Sequence, residues 1–180
     1  MQSSVSSTSV SDPFKTGGFP VGYPANIRTY YSPVDKVHEA ILNVVNNAKH
    51  SLIIAMYGWD DPELQDAVLA KMKDPNIFVQ LTLDSSQAGG THEKELLTAA
   101  NFPATSIAIG RSEKGAIMHM KCIVADNAVL VTGSTNDSIS GETKQDNACV
   151  VISDPYVAGE AASRISAIHI NMVNKQGVKK

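Results

Sequence analysis

No run of about 18 uninterrupted apolar residues occurs in the 180-residue chain, which excludes an ordinary membrane-spanning helix. Basic residues are in deficit, 15 Lys and Arg against 18 Asp and Glu, so the formal charge is −3 and the pI about 5.9. No global field attracts polyanions, and any positive potential that meets a nucleic acid must be local. The first residues, MQSSVSSTSVSDPFKTGG, lack the basic start and apolar stretch of a secretory signal. The expectation is a soluble chain, cytoplasmic as written, or periplasmic or secreted if a signal was removed. Two cysteines, Cys122 and Cys149, cannot form a disulfide framework; both lie in apolar runs and read as small buried hydrophobes. No His, Cys or carboxylate pair has the spacing of a zinc site, and Asp60-Asp61 reads as helix capping, so neither metal nor cofactor is expected. Internal repeats are missing too.

A chain of this length with 43% hydrophobic residues buries one ordinary core. Residues 1–26, rich in Ser, Gly and Pro, read as a flexible arm, residues 27–174 as a single domain and residues 175–180 as a frayed tail. Strands are expected at 28–31, 52–57, 77–83, 106–109, 117–125, 128–132 and 148–152. Ser32-Pro33 opens a first helix with Ser32 as cap, Asp61-Pro62 a second and Asp154-Pro155 the last; a third is expected at 91–100. Strand alternating with helix in the first half predicts βαβ units, and helix-free strands later predict antiparallel pairing. The fold class is α/β, a mixed, mostly parallel sheet flanked by helices. Asp126-Asn127 suits a tight hairpin turn.

On the strand 117–125, residues of one parity share a face, so His119 and Lys121 are neighbours. An imidazole beside an ammonium is what a phosphate ester needs, a nitrogen nucleophile and a fixed positive charge. Past the hairpin, Gly133-Ser134-Thr135-Asn136 returns a hydroxyl and an amide towards His119, as donors to phosphoryl oxygens. Glu142 and Asp146 follow, and either can accept a hydrogen bond from His119 and fix its tautomer. A His-x-Lys alone arises by chance about 0.3 times in such a composition, but the set including Asp126, Gly133, Ser134 and Asn136 only about once in a hundred thousand.

His119-x-Lys121-x4-Asp126 followed by Gly133-Ser134-x-Asn136 resembles the HKD motif of the phospholipase D superfamily. The resemblance runs from about Ser32 to Val173 and is closest to short bacterial endonucleases with one motif per chain that work as homodimers. It implies an α-β-α sandwich and a two-step, metal-independent hydrolysis through a phosphohistidine. By that resemblance His119 is the nucleophile, Lys121 and Asn136 bind phosphate, Ser134 lies at the site, Asp146 orients the histidine, and Asp126 is structural. Asp146 departs from the family pattern, which has Glu after a segment one residue longer.

One imidazole cannot both attack phosphorus and protonate the oxygen leaving on the opposite side. With one motif and no repeat, the natural source of the acid is His119 of a twofold-related copy. A nonspecific DNA endonuclease, with RNA also open, is the leading expectation. A phospholipase D or cardiolipin hydrolase and a non-catalytic phosphate-backbone binding module are the alternatives. Tyr57, His92 and Arg111 are weaker candidates for substrate contact, as a stacking ring, a helix-opening imidazole and a loop cation. His38, His50 and His169 read as surface or flanking residues, Trp59 as core or rim packing, and Lys114 equally as a phosphate contact or a solvated loop residue.

Overall fold

The computed structural model describes residues 9–87 and 105–177. The expected helix at 91–100, His92 and the last residues of the tail lie outside them.

A seven-stranded sheet organises the chain. Two short strands, β1 (Ser9–Val10) and β2 (Phe19–Pro20), pair with each other ahead of it. Next come β3 (Ile27–Ser32), helix α1 (Val37–Asn47), β4 (Ser51–Met56), the two-residue β5 (Trp59–Asp60), α2 (Pro62–Lys73) and β6 (Phe78–Asp84). Later in the chain follow β7 (Ile107–Gly110), β8 (Lys121–Ala125), β9 (Val129–Gly133), β10 (Asp137–Ser138), the short α3 (Ile139–Thr143), β11 (Asn147–Ser153) and α4 (Pro155–Gly177).

The large sheet has the order β3-β11-β9-β8-β4-β6-β7. It is mixed and flanked by helices, as expected. β4, β6 and β7 are parallel neighbours. The strands β8 and β11 run against the rest, so most strands share one direction while the β3-β11-β9-β8-β4 pairings are all antiparallel. Alternation along β4 sorts the core into two layers. Leu52, Ile54 and Met56 pack with Val37, Ile41 and Val45 of α1 and with α2. Ile53 and Ala55 pack with Ala158, Ile165 and Met172 of α4. Each fully buried Leu or Ile contributes about 1.5–3 kcal/mol of transfer free energy.

Several boundaries differ from the sequence reading for physical reasons. The stretch read as an arm docks where it is described: Phe19 is 1% exposed in the core, Lys15 pairs with Asp35 at 2.7 Å, and Phe14 packs edge-on to Tyr30. Ser32 does not cap α1. Its hydroxyl donates to the carbonyls of Gly141 and Gln145, and the helix begins at Val37 with no side-chain cap. Asp61 does cap α2, accepting from the amides of Glu63 and Leu64. The last helix runs to Gly177, beyond the point where fraying was expected.

Candidate active site

The hairpin between β8 and β9 turns at Asp126 and Asn127, whose φ values of +55° and +49° are those of a type I′ turn. The Asp126 carboxylate accepts the backbone amides of Lys49, His50 and Ser51 at 2.7–3.1 Å. It thereby ties the α1–β4 turn to the hairpin, at the opposite end of β8 from His119. Burial alone would raise this carboxyl, but the three amides outweigh it and hold the group below its ordinary value.

At the other end, β8 begins only at Lys121, so the strand expected at 117–125 is shorter by its first four residues. Those residues are extended but unpaired in the sheet, apart from the Tyr57 amide donating to the Met120 carbonyl at 2.9 Å. Asp84, fully buried at the end of β6, anchors the lead-in by accepting the Met118 amide, and it also accepts the Ser86 hydroxyl and amide. Its burial penalty is outweighed by those hydrogen bonds and the nearby Arg111 charge, which hold it ionised. Met118, Cys122 and Val124 fill the α4 layer, leaving Lys121 on the α1 side.

The exposed His119 and the buried Lys121 converge on one ring. The Tyr57 ring lies edge-on to the imidazole, with centroids 4.6 Å apart, and the Lys121 ammonium sits 4.8 Å from the same ring centre. That ammonium also donates to the His119 carbonyl at 3.1 Å. Desolvation lowers the lysine pKa, as expected for a cation that has exchanged water for a ring face and one carbonyl. An anion arriving here replaces lost hydration. The Tyr57 hydroxyl accepts from the Gln87 amide at 3.1 Å.

Asn136 joins this group through the backbone. The Gly58 amide donates to Asn136 Oδ1 at 3.2 Å, leaving the Asn136 amide nitrogen without a partner among the described residues. A Cβ on Gly58 would stand 3.0 Å from Asn136 Cγ, so the glycine permits the approach. Gly133 has φ +152°, and a Cβ there would collide with the Ala148 carbonyl oxygen, so only glycine lets β9 leave the sheet here. The Ser134 hydroxyl donates to Asn147 Oδ1 at 2.9 Å and accepts the Ala148 amide at 3.0 Å.

The structure sets His119 and Lys121 against the Tyr57 ring, and Asn136 reaches the edge of this mouth through the Gly58 amide; Ser134 lies just past the end of β9. It does not bring in Asp146, which is exposed and shares no hydrogen bond or ion pair with His119 among the described residues. Asn147, which the sequence reading passed over, is the neighbour of Ser134. Glu142 is 1% exposed and pairs with His38 Nδ1 at 2.6 Å instead. His38 is therefore not a surface or flanking residue, and His169 is buried, bonded to Thr82 and to the Thr105 carbonyl. Trp59 is core, while Arg111 and Lys114 are exposed. Cys122 and Cys149 are buried free thiols, and burial pushes Cys149 up to about 12.

A family model described as "Cardiolipin synthase, PLD-like domain" matches residues 41–169. Among solved structures, the chain is similar to a phospholipase D family member, Nuc from Salmonella typhimurium, at 26% identity and TM-score 0.63, covering 79% of this chain and 92% of that one. It also superposes on NucT from Helicobacter pylori at TM-score 0.65 and 14% identity, covering 79% and 94% of the two chains, a likeness of fold. A phospholipase D of Rickettsia prowazekii (strain Madrid E) is 23% identical over 135 residues, 74% of this chain; the chain spans 63% of that relative's length.

Proposed function

The chain belongs to the PLD-like domain family of the phospholipase D superfamily, and from that premise we propose that it is a metal-independent phosphodiesterase, an endonuclease acting on DNA and open to RNA. The observation that carries this reading is the open imidazole of His119 beside the desolvated Lys121 ammonium, both against the Tyr57 ring.

The chemistry follows from the groups present. The lone pair of a neutral His119 ring nitrogen attacks phosphorus and forms an N–P bond. The P–O bond opposite breaks, and the leaving oxygen takes a proton from a second imidazole. The Lys121 ammonium offsets the charge on the non-bridging oxygens and the Asn136 amide nitrogen hydrogen-bonds to them, where each donor is worth about 3 kcal/mol in a water-poor site. Water then attacks phosphorus, the N–P bond breaks, and the second imidazole takes the water's proton. That second imidazole is the His119 of a partner copy, because no other histidine of the described residues adjoins this mouth. The mechanism needs one of the two rings neutral, as nucleophile, and the other protonated, as acid.

A phospholipid substrate is the second reading, favoured by the phospholipase D name of the Rickettsia relative and by the family model's description. Incubation with supercoiled plasmid and with cardiolipin-containing vesicles, each in EDTA, separates the two. Nicked and linear plasmid with intact lipid is expected; intact plasmid with released lipid product would replace the nuclease reading.

A further inference from the structure

On the α1 side of the sheet three ionisable side chains meet and a fourth lies near them. His38 of α1 places Nδ1 2.7 Å from Asp61 Oδ2 and 2.6 Å from Glu142 Oε2. The ligand atoms of His38, Asp61 and Glu142 all lie within 4.8 Å of one another. The Asp61 and Glu142 side chains are wholly shielded, while that of His38 keeps 14% of its surface exposed. The fourth, Asp137, is 1% exposed and lies within electrostatic reach of Glu142 and Asp61. Among the described residues both its oxygens lack any hydrogen-bond partner, as does Glu142 Oε1.

Orphaned buried carboxylate oxygens are costly unless a cation or protons satisfy them. One imidazole cannot supply enough. Protonated, His38 would offer a single Nδ1 hydrogen to two carboxylates and nothing to Asp137. The other ring nitrogen is engaged, with Nε2 3.0 Å from Glu63 Oε2. A carboxylate on Nε2–H leaves the Nδ1 lone pair aimed inward, the arrangement that orients metal-binding histidines. One nitrogen and two or three carboxylate oxygens form the donor set of a zinc-type dication. Tetrahedral ligands about 2.0–2.1 Å from zinc stand roughly 3.3 Å apart, so the two separations from His38 Nδ1 have to open by several tenths of an ångström.

We propose that His38, Asp61 and Glu142, with the buried Asp137 carboxylate nearby, form a structural site for a divalent transition-metal ion of zinc type. The ion would tie α1, the start of α2 and the segment 137–142 together, and Asp137 directly follows Asn136. It takes no part in the phosphoryl transfer, and the inference does not rest on the proposed activity. Residues 38, 61, 137 and 142 are too dispersed in sequence for a spacing motif to reveal them.

The full chain, freed of metal by EDTA and dialysed, is titrated with zinc chloride, and metal content and thermal unfolding are read together. One equivalent per chain and a rise in Tm of about 5 °C or more are expected. Glu142→Gln, which keeps the shape and removes one charge, should fold at least as stably as the metal-free parent and lose both the uptake and the rise. His38→Asn should lose the uptake as well. Substoichiometric zinc with no rise in Tm would overturn the proposal, as would equal uptake by Glu142→Gln and the parent, which would put the metal elsewhere.

Discussion

Asp126 gives the sharpest separation of structural from catalytic roles within the motif. Its carboxylate accepts three backbone amides from the α1–β4 turn, and its backbone holds φ +55°. In Asp126→Ala those amides lose a charged acceptor. Discounted for partial exposure, each is worth about 1 kcal/mol, about 3 kcal/mol in all. Alanine in the left-handed region adds about 1 kcal/mol, because Asp and Asn tolerate that region better. A total of about 4 kcal/mol corresponds to a fall in Tm of roughly 10 °C and, at an m-value near 2 kcal/mol/M, to a urea midpoint lower by about 2 M. Asp126→Asn keeps one acceptor and the tolerance for positive φ, so its loss should be about half as large. Urea unfolding of the three proteins, with turnover normalised to folded protein, reads both quantities. An unchanged midpoint, or a folded Asp126→Ala as inactive as a Lys121 variant, would refute the structural assignment.

Gly58→Ala places a methyl against the Asn136 side chain, so kcat should fall about 10- to 100-fold with near-native stability, and an unaffected kcat would remove Asn136 from the site. Asn147→Ala should cost more activity than Asp146→Ala, since only Asn147 bonds to Ser134; the reverse order in steady-state assays would reinstate Asp146. Asp84 and Asp126 are held below the ordinary carboxylate value of 3.8. Their stabilisation is therefore present above that value and lost as pH falls through their lower folded values, so Tm should drop steeply at acid pH and less so in Asp126→Asn.

The neighbouring placement of His119 and Lys121 and the turn at Asp126 were legible in the sequence because strand parity and a hairpin fix their offsets. His119, Lys121, Asn136 and the Asp126 turn could be named from spacing alone. The start of β8 was not: a continuous apolar pattern cannot reveal that Asp84 holds the Met118 amide and that pairing begins only at Lys121. Ser32 looked like a cap by type, but its hydroxyl serves carbonyls more than 100 residues away, beyond any local rule. Phe19 looked like part of an arm because Ser and Gly around it hid a single core anchor. The contacts of His38 and Asn147 are long-range pairings of the same kind, visible only once α1, α2 and the segment after Asn136 are packed together.

In the proposed mechanism His119 carries the phosphoryl group. Rapid acid- or base-quenched turnover of a labelled phosphodiester, followed by mass spectrometry of the digested protein, tests it directly. An acid-labile, base-stable phosphate on the peptide containing His119, missing in His119→Ala together with turnover, is the predicted result. Turnover that survives in His119→Ala, or a phosphate found on another residue, would contradict the account.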